Sequence, residues 1–425
     1  MRALLINQFF FPDVAAVAQL MTDLTEDLVR RGVEVSVLCG HARYSRQQNP
    51  LGERGHHAQS LKVHRTFSLH LRGRSGAIHS MNYLSFLLAA PLRATLLPKH
   101  DCSLVFTNPP LIASAGWLLK RLRGTKFIYV VEDLYPDVAI QLGFLRRNSR
   151  VTQWLSRVSI ALLQRADRVV ALGDGMKRTL LEKGVQEEKI VIIPNWADGE
   201  QVYPLATTRN WFVGHHRLAG KFVVQYSGHL GEAHDFSTML GAARKLNSRD
   251  DIVFQFIGEG PRKGEIEAFK RDHRLRNVVL LPYQQRQHLR YSLGAADVGL
   301  ISLKPELEPL MLPSKVYGIM AAGRPFLYIG SEEGDISQLA RVARCGFTVP
   351  LGNVDLLEKL ILKLYQDESL RQTLGRNARA FFLANFDRKV STARYYDLLN
   401  DVLGNGTRVT SAPPKDFPAG GAAAA

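Results

Sequence analysis

The segment Leu312–Ile329, LPSKVYGIMAAGRPFLYI, contains residues that suit an anion-binding site. Its order of turn, apolar positions, Gly/Pro break and apolar run predicts a short helix that begins near Ser314, followed by a buried strand. The start of a helix offers unpaired N–H groups and a partial positive charge, so Ser314 and Lys315 are candidates for binding a phosphate or diphosphate. The alternative is an ordinary capped helix that packs its apolar face against a sheet.

A second group of polar residues follows the predicted strand Lys126–Val131. Glu132, Asp133 and Asp137 place three carboxylates within six residues, and Tyr135 stands among them. Ligands of open parallel sheets lie at the carboxyl ends of the strands, so this group is a candidate polar site. The alternative is a loop whose acidic residues cap a helix.

Two predicted strands are each followed directly by a glycine, Gly228 and Gly258, where the backbone can approach a ligand closely. His229 and His234 can donate hydrogen bonds to phosphate oxygens, with a charge that depends on their pKa. Tyr283 follows a third strand. It can stack on a nucleotide base or form a hydrogen bond to the base through its backbone. Each feature alone is typical of a plain turn, but their order before the Ser314 helix favours one shared site.

Strand and helix patterns alternate from the beginning of the chain. The strand Arg2–Ile6, the helix Val17–Arg31 and the strand Val33–Leu38 form a βαβ unit, which implies a parallel sheet. The loop after the first strand, Asn7–Ala16, lacks the glycines of a dinucleotide-binding fingerprint. Further strands of this set are predicted at Val63–Thr66, Ser103–Thr107, Lys126–Val131, Arg168–Leu172 and Ile190–Ile193.

A second alternating set begins at Phe222 and predicts another doubly wound α/β domain. Its strands are predicted at Phe222–Ser227, Ile252–Ile257, Val278–Leu280, Val298–Ser302, Phe326–Ile329 and Phe347–Val349. We therefore divide the chain into a first domain at 1–195, a linker at 196–219, a second domain at 220–375, C-terminal helices at 376–403 that pack back toward the first domain, and a disordered tail at 404–425.

Composition agrees with two globular domains in a reducing compartment. The chain has 425 residues, of which 46% are hydrophobic. Its three cysteines, Cys39, Cys102 and Cys345, are far apart and lack the spacing of a structural zinc site. The apolar run Ala3–Ile6 is interrupted too early for a signal peptide.

The net charge of +16 is concentrated in the first half, where residues 1–195 contain 26 basic and 15 acidic side chains. Such a surplus suits nucleic acid, a membrane surface or anionic substrates, and no nucleic-acid-binding module is evident. The uncharged segment Ser75–Leu92 is flanked by Arg72, Arg74 and Arg93, and its apolar part is too short to span a bilayer. It predicts an amphipathic helix that is either buried or lies on a membrane face.

The ordered motifs of the chain resemble those of one enzyme family. They are FFFPD, RRGVEVSVL, TNPP, EDLYPD, ALGDGM, IIPNW, YSGHLGEAHDF, FIGEGP, AADVGLI and LPSKVYGIMAAGRP. Over residues 1–403 the chain resembles retaining glycosyltransferases of family 4, and within them the bacterial O-antigen and exopolysaccharide subgroup that uses amino-deoxysugars. The resemblance implies the GT-B fold, in which two Rossmann-like, doubly wound parallel-sheet domains face each other across a cleft.

The resemblance also implies an activity. A hexose or N-acetylated amino-deoxysugar would pass with retention from a nucleotide-diphosphate donor, with UDP expected, to a polyprenyl-diphosphate-linked saccharide. The enzyme would need no metal or other cofactor and would bind no nucleic acid. It would act in the cytoplasm, peripheral to the inner face of an anionic membrane. A GT-B sugar-nucleotide epimerase and a catalytically silent sugar-nucleotide-binding subunit are the alternatives.

The donor side of the implied site departs from the family pattern. The usual Arg and Lys of the phosphate loop fall at His229 and His234, and Lys315 can replace the missing cation. The second of the family's paired glutamates aligns with Gly318. The first falls at Glu306 or Glu308 only if the loop is realigned, so the carboxylate that binds ribose is unassigned.

The resemblance implies catalytic roles for Asp133, Lys315 and His229. Asp133 would meet the sugar and the acceptor, with Glu132, Tyr135 and Asp137 beside it. The remaining residues implied to bind the donor are Gly228, His234, Gly258, Tyr283, Glu306, Glu308, Pro313 and Ser314.

Overall fold

The chain divides into two compact units, each built around a parallel sheet. One unit comprises residues 1–194 and 391–406, and the other comprises residues 195–390. The computed structural model describes residues 1–13, 15–41, 60–69, 71 and 76–406. Most of the tail predicted at 404–425 therefore lies outside the described residues.

The first unit contains a seven-stranded parallel sheet in the order β3-β2-β1-β4-β5-β6-β7. Its elements are β1 (Arg2–Ile6), α1 (Ala16–Arg30), β2 (Glu34–Gly40), β3 (Leu61–Thr66), α2 (Gly76–Leu96), β4 (Cys102–Phe106), α3 (Ala113–Arg123), β5 (Lys126–Val130), α4 (Asp137–Gln141), α5 (Arg150–Arg165), β6 (Arg168–Ala171), α6 (Asp174–Glu182), a 3-10 turn (Glu187–Lys189) and β7 (Ile190–Ile192). The chain winds outward from β1 in one direction and then from β4 in the other, so the strand order reverses between these two strands. Ligands of doubly wound sheets bind at such a reversal.

The second unit contains a six-stranded parallel sheet in the order β10-β9-β8-β11-β12-β13. Its elements are 3-10 turns at Thr207–Arg209, Arg286–His288 and Pro305–Leu307, with α7 (Trp211–His215), β8 (Phe222–Ser227), α8 (Ser237–Lys245), β9 (Ile252–Ile257), α9 (Lys263–Asp272), β10 (Val278–Leu281), α10 (Leu289–Gly294), β11 (Val298–Ser302), α11 (Lys315–Ala321), β12 (Phe326–Ile329), α12 (Asp335–Val342), β13 (Gly346–Val349), α13 (Val354–Gln366), α14 (Glu368–Asn385) and α15 (Arg388–Leu403). Here the order reverses between β8 and β11.

Residues 196–219, which were predicted to be a linker because of their polar composition, belong to the second unit. Within it, α7 buries Phe212 and Val213, which pack with Val223 of β8 and Ile257 of β9. The interpretation as an irregular linker is wrong here because two apolar residues in a polar stretch are enough to anchor one helical turn.

The last helix, α15, starts in the second unit and continues into the first. Within the first unit, the Thr392 hydroxyl donates to Asp27 at 3.0 Å, and Arg168 pairs with Asp401 at 3.1 Å. Leu398 of the same helix is fully buried. Of the segment 376–403 predicted to pack back toward the first domain, residues 391–403 belong to that unit, whereas residues 376–390 remain in the second.

No helix in the described part of the chain is long and apolar enough to cross a bilayer.

Candidate functional site

The reversal of strand order in the second sheet lies beside two glycine turns. Gly228 directly follows β8 with φ +146° and Gly258 directly follows β9 with φ +148°, conformations that only glycine adopts easily. The Gly228 N–H donates to the Ile257 carbonyl at 2.9 Å, and a Cβ on Gly258 would lie 1.9 Å from the Gly228 carbonyl oxygen. Because no side chain can fit between the two turns, their backbones form one small-residue surface at the carboxyl edge of the sheet.

Lys315 brings a cation to this surface. Its Nζ donates to the Tyr226 hydroxyl at 2.6 Å and lies 4.1 Å from the centre of the Tyr226 ring. Its side chain also borders Gly228, since a Cβ there would meet Lys315 Cε at 3.0 Å. Burial lowers the pKa of Lys315 from 10.5 to about 7. The ammonium is therefore poorly solvated and poised to gain from a neighbouring anion.

His234 holds Lys315 from the other side. Its Nε2 lies 3.3 Å from Lys315 Nζ, and its Nδ1 lies 2.6 Å from the Ser302 carbonyl oxygen of β11. A carbonyl can only accept, so Nδ1 carries the proton and Nε2 accepts from the lysine. Burial, with the Lys315 charge as a smaller cause, lowers the pKa of His234 well below its ordinary value. His234 is thus a neutral acceptor that orients Lys315.

His229 lies at the surface of the same loop, with its ring packed over Gly231. Its carbonyl accepts a hydrogen bond from the Tyr226 hydroxyl at 2.8 Å, which links the loop to the lysine through one phenol. Partial burial and then the Lys315 charge lower the pKa of the His229 ring. A direct contact of His229 with phosphate stays a prediction, whereas the hydrogen bond expected from His234 to phosphate is wrong, because its one N–H faces the Ser302 carbonyl and its Nε2 faces Lys315.

In the first unit, Asp133 follows β5 at the carboxyl edge of the sheet. No hydrogen-bond partner of its carboxylate is found among the residues that the structure describes, and burial raises its pKa from 3.8 to about 6. Burial and then the nearby Asp133 charge raise the pKa of the Tyr135 phenol. Asp133 and Tyr135 are therefore close together, as expected from the sequence.

The Asp137 side chain and the Glu132 backbone have partners within the first unit. Asp137 stands in the first turn of α4 and pairs with Lys183 at 2.8 Å. The Glu132 N–H donates to the Thr107 hydroxyl at 2.8 Å, which ties the end of β5 to the end of β4. Asp137 is therefore held in an ion pair, whereas Asp133 has no such partner among the described residues.

Comparison with known proteins identifies the enzyme class. Residues 16–196 match the glycosyl transferase 4-like domain, and residues 208–381 match the glycosyl transferases group 1 family. The protein is a GT-B glycosyltransferase.

Relatives and solved structures agree with this identification. The probable glycosyltransferase WbjE of Pseudomonas aeruginosa is 27% identical over 308 residues, which cover 72% of this chain and 76% of the relative. The putative colanic acid biosynthesis glycosyl transferase WcaI of Escherichia coli (strain K12) is 24% identical over 353 residues, covering 80% and 86%. Anabaena HepE, solved in complex with UDP-glucose, has a TM-score of 0.72 at 16% identity and covers 94% of this chain and 99% of that one. That last likeness shows the fold.

The helix start of the transferase differs in detail from the prediction. The helix α11 begins at Lys315, but Ser314 has a helical backbone conformation and its side chain caps no N–H group. Pro313 before it is buried. The expected serine cap is therefore wrong, and the cation at this helix start comes from the Lys315 side chain.

The structure describes the surroundings of the three positions considered for the family's glutamate pair, Glu306, Glu308 and Gly318. Glu308 accepts from the Ser331 N–H at 2.7 Å and from the Tyr328 hydroxyl, so it fixes the chain after β12. Burial raises the pKa of Glu308. A Cβ on Gly318 would meet only Leu293, at 3.2 Å. Glu306 lies exposed in the 3-10 turn before them. Donor binding by Glu306 or Glu308 stays a prediction.

Tyr283, the remaining donor candidate, is half-exposed beside the glycine turns. Its ring edge would lie 3.6 Å from a Cβ on Gly258, and its hydroxyl lies within 3.5 Å of the Glu259 carbonyl. The structure thus brings Gly228, His229, His234, Gly258, Tyr283 and Lys315 together.

Sequence reasoning missed the loop after β1, which the strand order places at the reversal in the first sheet. The Gln8 N–H donates to the Asn108 carbonyl at 3.0 Å, and the Gly40 N–H donates to the Gln8 carbonyl at 3.0 Å. This loop is therefore tied to the ends of β4 and β2. The signal was present in the TNPP motif, but its relevance depends on a strand order that the sequence pattern does not contain.

Among the described residues, no group of His, Cys, Asp and Glu side chains is arranged to hold a metal ion. Metal independence remains a prediction.

Proposed function

We propose that the transferase moves a hexose or an N-acetylated amino-deoxysugar, with retention, from a UDP-sugar to a polyprenyl-diphosphate-linked saccharide in surface polysaccharide synthesis. The observation that carries this proposal is the Lys315 ammonium, held by Tyr226 and His234 against Gly228 at the reversal of the second sheet. A fixed cation beside exposed backbone suits a diphosphate.

The chemistry needs charge stabilisation at the leaving diphosphate. As the glycosidic bond breaks, negative charge grows on the diphosphate oxygen, and Lys315 stabilises it. Since the lysine is oriented before the donor arrives, little reorganisation is needed during the step. His229 at the loop surface adds a second donor once its ring is protonated or its N–H faces the phosphate.

Retention without an enzyme nucleophile requires the acceptor hydroxyl to attack from the face that the diphosphate leaves. We assign Asp133 to this hydroxyl, because its half-buried carboxylate has no hydrogen-bond partner among the described residues and burial raises its pKa to about 6. It orients the hydroxyl or takes its proton. Glu132, Tyr135 and Asp137 support the position of Asp133.

Similar proteins support the choice of substrates. HepE was solved with UDP-glucose, and the name of WcaI assigns it to colanic acid biosynthesis. With the lipid-linked acceptor that the family resemblance implies, this transferase acts at the inner face of the cytoplasmic membrane.

A thermal unfolding screen with UDP-, GDP- and TDP-sugars tests the proposal, because a ligand that binds only the native state raises the melting temperature. We expect UDP-sugars to protect the wild type and the exposed-lysine control Lys359→Ala, and to lose this effect in Lys315→Ala. Protection by none of the donors contradicts the proposal.

A metal chelator should leave turnover unchanged. Activity that is lost with chelator and restored only by added metal would contradict the metal-free mechanism.

Product analysis separates the remaining alternatives. Conversion of the donor sugar without any acceptor identifies an epimerase. Donor binding without turnover across lipid-linked acceptors identifies a silent binding subunit, which the glycine at position 318 favours.

A further inference from the structure

One face of α2 packs on the first unit, and the opposite face does not. The buried side chains recur on one side of the helix: Asn82, Phe86, Ala90 and Ala94. The opposite side exposes a row of large apolar side chains, which we name the leucine ridge: Met81 (49% exposed), Leu84 (52%), Leu88 (63%), Leu92 (67%) and Leu96 (74%). Successive leucines are four residues apart, so they form one continuous stripe.

A helix that is apolar on all sides normally lies inside a protein or against a membrane. Single exposed leucines are common, but a stripe of five large apolar side chains marks a surface that meets a partner. Two further apolar side chains outside the ridge are exposed. Asn82 accepts from the Leu71 N–H at 3.0 Å and donates to the Leu71 carbonyl at 3.2 Å. This pair holds Leu71 beside the helix, and Leu71 and the nearby Phe67 are themselves exposed.

The stretch of sequence that contains the ridge is basic. Residues 54–100 contain seven Lys and Arg residues and no Asp or Glu. Arg93 on α2 and Lys99 just after it are exposed. Arg123 donates to the carbonyls of Thr95 and Leu97, which neutralises the negative end of the helix. Apolar side chains with cations at their border are typical of helices that lie in the plane of an anionic bilayer.

We propose that the leucine ridge inserts into the headgroup region of an anionic bilayer and docks the transferase there. A second copy of the chain is a poorer partner, because two copies of this basic segment repel each other. The inference rests on the proposed function only for its biological setting. Vesicle binding is measured without donor or acceptor, so its failure leaves the transferase proposal standing.

Co-sedimentation of the full-length protein with vesicles tests the inference. We expect binding to mixed phosphatidylcholine–phosphatidylglycerol vesicles and much weaker binding to pure phosphatidylcholine. The double variant Leu88→Gln/Leu92→Gln should lower the partition coefficient about 100-fold, on the order of tenfold for each leucine withdrawn from the bilayer. The matched control Leu351→Gln/Leu383→Gln changes two exposed leucines of the second unit and should bind like the wild type.

Two further variants separate the possible outcomes. Arg93→Glu/Lys99→Glu should lose binding to anionic vesicles while leaving the melting temperature and donor protection intact. A second ridge pair, Leu84→Gln/Leu96→Gln, guards against local unfolding in the first pair. Vesicle binding that survives in both ridge pairs overturns the inference. It is equally overturned if ultracentrifugation shows a wild-type dimer that the ridge variants convert to monomer without any change in vesicle binding.

Discussion

Lys315 in the second unit and Asp133 in the first both stand at the carboxyl edge of a parallel sheet, and burial shifts the pKa of both toward the neutral form. The lysine falls to about 7 and the aspartic acid rises to about 6. Their partners differ. Lys315 is held by Tyr226 and His234, whereas the Asp133 carboxylate has no hydrogen-bond partner among the described residues.

The two residues therefore illustrate two ways in which a charged side chain can be positioned for a ligand. A cation that meets every donor in the same place can be fixed in advance, because all nucleotide-sugars share the diphosphate. A carboxylate that receives a variable acceptor hydroxyl is left unpaired, and the ligand supplies its hydrogen bond. Replacing each residue therefore has a distinct expected signature.

The largest effect is expected for Lys315→Ala. Removing a fixed cation from the leaving diphosphate should lower kcat/KM for a UDP-sugar about 100-fold, the scale of one lost charge-stabilising donor. Steady-state kinetics measures this, with Lys359→Ala as the control. Wild-type activity in Lys315→Ala would remove the residue from the mechanism.

Asp133→Asn should lower the rate of transfer about tenfold while the affinity for the donor changes little, because the amide cannot take a proton from the acceptor. Single-turnover kinetics and calorimetric titration with the UDP-sugar report the two quantities separately. An equal loss of donor affinity would place Asp133 on the nucleotide side instead.

The same substitution should stabilise the folded protein at neutral pH. A carboxyl whose folded pKa is raised from 3.8 to about 6 contributes stability below pH 4 and loses it as the pH rises through 6. At pH 7, Asp133→Asn should therefore gain on the order of 1 to 2 kcal/mol, less than the full shift implies because the side chain keeps some exposure. Denaturant unfolding at pH 7 and pH 4 measures it, and a gain that persists at pH 4 would contradict a charge origin.

The smallest expected signal is proton uptake when the donor binds. With a pKa of about 7, Lys315 is mostly neutral at pH 8, and the diphosphate should draw a proton onto it. Calorimetry in buffers of different ionisation enthalpy should show uptake of a large fraction of one proton at pH 8 and little at pH 5.5. Lys315→Arg keeps its charge and should show none at either pH.

Buried strands were the most predictable part of the molecule. Phe222–Ser227 and Ile252–Ile257 coincide with the predicted strands residue for residue, because a parallel strand covered on both faces is a mostly apolar run, interrupted here by a single glutamine in each strand. The helix α7 was missed because a single turn anchored by Phe212 and Val213 has no periodicity to detect.

Within the site, the residue types were predictable and their partners were not. The segments containing Lys315 and Gly228 were recognised from local sequence. The contact of Lys315 with His234 joins residues 81 positions apart, so the conversion of His234 into an acceptor depends on tertiary structure. The Ser314 cap failed for a related reason, because local preference for serine did not decide the backbone conformation.

The helix α15 has a consequence for how the chain is made. The first unit is assembled from both ends of the polypeptide, since Thr392 and Asp401 bind residues of its N-terminal part. During synthesis, residues 195–390 emerge from the ribosome before the segment that completes this unit. The second unit therefore finishes folding first, and a fragment ending at residue 194 lacks a helix of its own core.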